Sequence, residues 1–513
     1  MEFLVKPWAH QLEAIEKAKN LNSFGLFFEQ GTGKTGACIN ILRYKFGTQG
    51  RLLRTIVFGP PIVVENWRDE WALHSKIPRG QIIPLVGSGE KRLKTFMKNA
   101  YDEGHSFSAG EVLPRIFLTN YESLLMKPLF SAMKAWEPEA LVFDECHRLK
   151  NWKAQRSKLA AELSNPVGKT RPLVYGLSGT SILNSLLDIF QQFVIIDGGR
   201  TFGQNFLAFR GLYFRDRNAG MPKERYFPKW EPRTLQLDNF DAEKEIGKKL
   251  SERSMRVEKK DCLDLPPELN QIIKVGMTPE QTRLYKEMKS EFITFLGDKA
   301  CTATIALTKA LRLMQISSGF VAVKSENGGL SDNGDSEGEA SVEAVRLKNT
   351  PKQAALKSLL EDLTPEHKVL VWAVWKENYL QIKEVLDELG VCYVEVHGGI
   401  SAAKKQANIE RFKTSPDCRV FLGHPGSGGI GINLVVAPYS IFYSRTFSLE
   451  HYLQARARNH RGGSEIHEKI THYDLVCENT IDELVVKRLS QKIQISEKVF
   501  GSFLNDLKDQ SDE

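Results

Sequence analysis

Residues 24–46 read FGLFFEQGTGKTGACINILRYKF, an apolar run that breaks on a glycine-rich turn and resumes with helical composition. A strand that ends in Gly31-Thr32-Gly33-Lys34-Thr35 and feeds a helix constrains the chain more than any other stretch. Glycines there let backbone N–H groups close round a phosphate without a Cβ in the way. The helix that follows points its positive N-terminal end at the same place. Lys34 is spaced to reach β- and γ-oxygens, Thr35 to hold magnesium, and Gln30 and Thr32 complete the loop. The general pattern G-x-x-x-x-G-K-[ST] also asks for glycine at position 28, where this chain has Phe28.

A second stretch supplies what such a loop needs. Residues 141–151 read LVFDECHRLKN, so an apolar strand stops on two adjacent carboxylates, Asp144 and Glu145. A phosphate-bound magnesium needs a second anchor, and Asp144 at a strand end provides it. Glu145 is then placed to orient and deprotonate an attacking water. The two segments together predict an ATP site with magnesium as cofactor.

At 513 residues the chain is too long for one ordinary core. Apolar runs (LLRTIVFGP, RIFLTNY, ALVFDE, PLVYGLS) alternate with helical stretches, and a second series follows (KVLVWAVW, CYVEVHG, CRVFLGH, SIFYSR, KITHYDLV). Each series implies strand–helix–strand units and a parallel sheet, hence an α/β chain of two lobes. The apolar fraction of 42% and charged fraction of 26% are those of a soluble globular protein. No stretch has the length of a membrane-spanning helix, and the N-terminus MEFLVKPWAHQ lacks the layout of a signal peptide. Seven scattered cysteines, none paired as C-x-x-C, point to a reducing compartment. The expected location is therefore cytoplasmic, nucleoid-associated in a bacterial or phage-infected cell. The net charge of +7 permits nucleic-acid binding without demonstrating it. His10, His397 and His460 show no metal-ligand spacing, so no zinc is expected.

Asp-Glu-Cys-His-Arg-Leu-Lys-Asn at 144–151 resembles the DEAH box of the Swi/Snf family of helicase-like ATPases, where a basic residue and Lys-Asn follow the box. Other segments match that family in order. They are KPWAHQ (6–11), FGPPIVVENWRDEW (58–71), TNYESL (119–124), YGLSGTSILNS (175–185), DLPPELNQIIKVGMTPEQTRLYKEM (264–288), HGGISAAKKQANIERF (397–412), GSGGIGINL (426–434) and QARARNHRGG (454–463). The short G-x-G-K-T form is usual in such motors. The compact length and Phe-Ser-Leu-Glu at 447–450 are similar to short members carried by bacteriophages and bacteria.

The resemblance implies two RecA-like, P-loop NTPase lobes with helical insertions. Expected bounds are lobe 1 at 1–196, a helical protrusion at 197–258, a linker at 259–267, lobe 2 at 268–490 and a C-terminal helix and tail at 491–513. Lobe 2 is expected to carry a helical insertion at 279–320 and a disordered acidic loop at 323–345. By the same resemblance Gln11 reads adenine, Gln454, Arg458 and Arg461 form the arginine-finger motif, and Gly431 approaches nucleotide. Arg456 lies off that register and reads as a surface or sheet-packing residue. His147 links the nucleotide site to the Ser178 segment, and Ser178 and Thr180 couple the γ-phosphate to DNA contacts. Asn66, Trp67, Thr119, Lys150, Asn151, Gly398 and Gly428 fall on the expected nucleic-acid track.

Departures concern the partner more than the chemistry. Ser181 stands where proline is usual, Ser444-Arg-Thr-Phe447 replaces an acidic and Trp-Asn-Pro stretch, and Ser464 replaces a common glutamine. Residues 200–233 are dense in aromatics and in arginine and lysine, and two readings stand. They offer charge to phosphates and rings to bases, or the rings pack on lobe 1 while the basic groups are solvated. Arg215, Arg217, Lys223 and Arg225 are the expected phosphate contacts. The implied activity is an ATPase motor that translocates on double-stranded DNA as a monomer, with other phage or host proteins as further partners and no membrane. A strand-separating helicase, the motor of a restriction or defence complex, and a non-hydrolysing binding module are the alternatives.

Overall fold

The computed structural model describes residues 2–61, 63–101, 115–179, 185–222, 226, 228–262, 264–298, 303–324, 342–426 and 432–491. The chain divides into two units, one containing residues 1–221 and 226–264, the other residues 265–491.

In the first unit the strands are β1 (Ser23–Phe28), β2 (Thr55–Gly59), β3 (Ile82–Pro84), β4 (Ile116–Asn120), β5 (Ala140–Asp144) and β6 (Leu173–Leu177). A small hairpin, β7 (Phe214–Asp216) and β8 (Trp230–Pro232), precedes β9 (Ser254–Val257). Seven of these nine strands form a parallel sheet in the order β3-β4-β2-β5-β6-β1-β9. Parallel strands covered by helices on both faces read as continuous apolar runs, and β1, β2, β4 and β5 are buried throughout. Alternate side chains enter different cores. Phe24, Leu26, Phe28, Val57 and Val142 join one cluster, while Phe27, Ile56, Phe58, Leu141 and Phe143 join the other.

Within residues 200–233 four buried rings take a single reading, while Tyr226 is exposed. Phe202, Phe209, Tyr213 and Phe214 are buried and belong to the same core cluster as Phe190 and Phe193. The aromatics pack on the first unit because Phe202, Phe209 and Tyr213 stack edgewise and tilted on one another. They are not offered to bases.

The second unit adds β10 (Glu268–Val275), β11 (Phe320–Lys324), β12 (Val342–Arg346), β13 (Val369–Trp372), β14 (Tyr393–Val396), β15 (Val420–Gly423), β16 (Tyr439–Phe442) and β17 (Ile470–Cys477). Its main sheet is also parallel, in the order β10-β17-β16-β13-β15-β14. Helices Pro279–Asp298 and Ala303–Ser317 precede β11. Both sheets are parallel, α/β and of RecA-like type.

The expected acidic loop at 323–345 is corrected at its two ends. Residues 323–324 and 342–345 lie in an antiparallel ladder, with Lys324 opposite Val342 and Phe320 opposite Arg346. Composition pointed to a loop because acidic, Gly- and Ser-rich residues dominate the stretch, yet Val342 and Val345 carry strand preference. Residues 325–341 and 492–513 fall outside the described part of the chain. Among the described residues no helix is long and apolar enough to cross a membrane.

Candidate active site

The turn after β1 is built for close approach. Gly31 and Gly33 adopt left-handed φ of +90° and +77°, a conformation that costs glycine little. A Cβ on Gly33 would collide with the Gln11 amide, so a side chain there would both strain the backbone and displace Gln11. The amide of Gln11 donates to the Gly33 carbonyl at 2.9 Å and accepts from the Trp8 N–H at 2.8 Å. His10 Nε2 lies 2.8 Å from the Thr32 carbonyl, and the Thr32 hydroxyl donates to the Glu29 carbonyl. Helix Ala9–Ala18 therefore straps the loop from outside. Helix Lys34–Gln49 starts at the loop's end, which puts Lys34 and Thr35 in its first turn.

Strand β5 brings the carboxylates to the same corner. Lys34 Nζ lies 3.3 Å from Glu145 Oε1, although 111 residues separate them. Glu145 sits at φ +55°, ψ +48°, a left-handed conformation that costs a non-glycine residue roughly 1–3 kcal/mol. The strain turns the chain out of β5 and into the short helical turn Cys146–Leu149.

Asp144 is 3% exposed. Its carboxylate accepts from Trp67 Nε1 at 2.8 Å and from the Glu145 N–H at 2.9 Å, and the Tyr121 hydroxyl donates to its carbonyl. Burial pushes its pKa up to about 6, against the pull of Lys34 and with the push of Glu145. A buried acid so raised fits a divalent cation, whose charge would restore the ionised form. Asp144 and the Thr35 hydroxyl offer the hard oxygen donors magnesium prefers.

Strand β6 lies between β1 and β5, and Ser178 follows it directly. His147 Nδ1 lies 2.8 Å from Ser178 Oγ and 3.4 Å from Glu145 Oε2, with all three groups buried. One histidine thus touches both the carboxylate pair and the segment after β6. Thr180 lies outside the described residues.

Two residues assigned to the nucleic-acid track are corrected. Trp67 is 1% exposed and spends its N–H on Asp144, and Thr119 is fully buried with its hydroxyl 2.7 Å from Ser123 Oγ. Neither reaches solvent, because the helix carrying Trp67 and the strand carrying Thr119 both face the core. Asn66 and Asn151 are exposed, Asn151 closing a turn onto the Lys153 N–H. Lys150 pairs with Asp188 at 3.1 Å, Arg215 with Asp238 at 3.7 Å and Arg217 with Glu231 at 3.2 Å. Arg217 is the most open of these cations. Lys223 and Arg225 fall outside the described residues.

In the second unit Gln454 and Arg458 are buried, and Arg461 is half-buried. Helix Leu449–Arg456 carries Gln454, whose amide donates to Glu450, and Arg458 donates to the Ile432 carbonyl in the turn beyond. Gly398 is exposed after β14, while Gly428 and Gly431 are outside the described residues. Arg456, off the motif register, is fixed to Glu268.

A glycine loop on β1, a lysine at a helix start and paired carboxylates on β5 define an enzyme that hydrolyses a nucleoside triphosphate. The SNF2-related domain matches residues 12–320 and the helicase conserved C-terminal domain matches residues 351–463. The chain belongs to the SNF2-related family of helicase-like, ATP-hydrolysing enzymes. It is 26% identical over 499 residues to chromodomain-helicase-DNA-binding protein 1-like of Danio rerio, covering 96% of this chain and 43% of that protein. It is 26% identical over 517 residues to the protein CHROMATIN REMODELING 4 of Arabidopsis thaliana, covering 96% and 21%. The chain thus spans under half the length of either. Putative protein p41 of Acyrthosiphon pisum secondary endosymbiont phage 1 is 23% identical over 510 residues, covering 96% of this chain and 97% of p41. Among solved structures, the Sulfolobus solfataricus SWI2/SNF2 ATPase core in complex with dsDNA aligns with a TM-score of 0.40 and 19% identity, over 98% of this chain and 94% of that one.

Proposed function

We propose that the chain couples ATP hydrolysis to translocation on double-stranded DNA, remodelling protein–DNA complexes or DNA structures. The observation that carries the ATP chemistry is the convergence of Lys34, Asp144 and Glu145, with Glu145 in a strained backbone conformation. The DNA half of the reading is supported by family membership and by relatives whose names include DNA binding and chromatin remodelling.

The phosphates would lie in the Gly31–Gly33 turn, against the N-terminus of helix Lys34–Gln49. A γ-phosphate reaching the loop competes with Glu145 for the Lys34 ammonium. Its arrival frees the Glu145 carboxylate to take a proton from the attacking water. His147, in contact with both Glu145 and Ser178, reports that change to the segment after β6. Asp144 and Thr35 would hold magnesium, which when bound neutralises charge on the β- and γ-oxygens. Arg458 and Arg461, the arginine-finger positions of the motif, would supply positive charge during hydrolysis, worth roughly 10³–10⁵ in rate. Of the described first-unit residues expected on the nucleic-acid track, Arg217, Asn66 and Asn151 lie at the surface where a phosphate backbone would pass.

The test is steady-state ATP hydrolysis with duplex DNA, single-stranded DNA and RNA, followed by triplex displacement on the duplex. Strong stimulation by duplex and displacement of the third strand are expected. Stimulation confined to single strands or RNA would replace translocation on duplexes with strand separation.

A further inference from the structure

Glu268 opens β10, close to where the chain enters the second unit. Its carboxylate is the meeting point of three basic side chains that lie far along the chain from it. Arg456 grips it with both arms of its guanidinium, Nε at 2.9 Å from Oε1 and Nη2 at 2.6 Å from Oε2. His472 Nε2, on β17, lies 2.8 Å from Oε1, and His460 Nδ1 lies 3.5 Å from Oε2. The other nitrogen of His460 lies 3.0 Å from the Pro266 carbonyl. Arg456 is also held over the Tyr452 ring.

The spacing gives this cluster a consequence. Arg456 and His460 flank Arg458, and Arg461 follows directly. The turn between them is pinned on its other side as well. Arg458 Nη1 donates to the Ile432 carbonyl, the Leu434 N–H donates to the Arg458 carbonyl, and the Asn459 amide donates to the Ala437 carbonyl. Arg456 and His460, two positions to either side of Arg458, therefore hang on Glu268, while Arg458 and Asn459 hang on the stretch of chain leading to β16. A bidentate guanidinium–carboxylate contact fixes orientation as well as distance.

We infer that Glu268 is a positioning residue that, through Arg456 and His460, fixes the turn presenting Arg458 and Arg461 for hydrolysis. This rests on the proposed role of those two arginines. Misplacing a catalytic group by about 1 Å costs up to roughly 100-fold in rate, so a clamp of this kind acts on kcat rather than on nucleotide affinity.

The experiment measures kcat and KM for ATP under duplex-stimulated conditions for Glu268→Gln, Arg456→Lys and the double variant, beside Arg461→Ala. The Glu268→Gln change keeps the shape of the side chain and loses its charge, and Arg456→Lys keeps charge and loses the fork. Should the first variant fail to fold, the second still tests the clamp. Each single variant is expected to lower kcat by roughly 10- to 100-fold with KM within about twofold, and the double variant to be no slower than the worse single. Full-rate Glu268→Gln and Arg456→Lys beside a slow Arg461→Ala would overturn the clamp alone. Losses that appear in KM, or that multiply in the double variant, would also overturn it. A full-rate Arg461→Ala would remove the arginine reading and the clamp with it.

Discussion

Asp144 and Glu268 are both poorly exposed carboxylates at strand ends, one in each unit, and their surroundings drive them in opposite directions. Asp144 ends β5 with two hydrogen-bond donors on its carboxylate, and burial raises its pKa to about 6. Glu268 begins β10 among Arg456, His472 and His460, and although burial opposes it, His472 and Arg456 hold its carboxyl well below the usual range. One acid is under-compensated at the corner where Lys34 and Thr35 converge. The other is fully compensated by its own fold. On the proposed reading, the difference separates a carboxylate suited to a bound cation from one that would hold the chain in place.

The largest effect expected on the first side is chemical. Glu145→Gln should cut ATP turnover about 10³-fold while nucleotide binding persists, read by single-turnover hydrolysis and equilibrium binding. An active Glu145→Gln would erase the contrast, since the first unit's acids would then be structural too. On the second side the loss of rate is accompanied by a loss of stability. Glu268→Gln leaves Arg456 without its anion and should cost about 3 kcal/mol, seen as a lower Tm.

The pH response sharpens the comparison further. Asp144 has a raised folded-state pKa, so its contribution to stability is full below 3.8 and is lost as pH rises through about 6. Burial lowers His472 from 6.5 to about 4, so its contribution is full above 6.5 and is lost as pH falls toward 4. Acidifying from pH 7.5 to 5 should therefore relieve the first unit and burden the second, by about 1–3 kcal/mol. Scanning calorimetry checks this, with the transition sensitive to Glu268→Gln moving down relative to the other. The smallest effect concerns Trp67. Trp67→Phe keeps a ring in the core and removes the Nε1 bond to Asp144, which should reduce kcat by roughly tenfold, or about 1–2 kcal/mol, in the ATPase assay.

The α/β architecture was legible because strands buried on both faces must be largely apolar, and β1, β2 and β5 are apolar but for an end residue each. The phosphate turn was legible because Gly31 and Gly33 are needed at positive φ and leave a local signature. What stayed hidden depends on contacts far apart in the chain. Nothing near Trp67 says that its N–H meets a carboxylate 77 residues on, and a surface role was inferred from motif position alone. Thr119 was misplaced for the same reason. Glu268 carries no local signal at all, because Arg456, His460 and His472 come to it across 188 residues and more. The β11–β12 ladder was masked by the acidic composition between its strands.

The central claim is that Asp144 is a buried acid suited to a bound cation, and thermal unfolding of Asp144→Asn tests it most directly. Wild type and variant would be melted at pH 7.5, alone, with a non-hydrolysable ATP analogue, and with the analogue plus magnesium. The account predicts that the variant alone melts no lower than wild type, and that magnesium adds stabilisation to the analogue only in wild type. A variant that melts several degrees lower, or that keeps the magnesium-dependent gain, would contradict it.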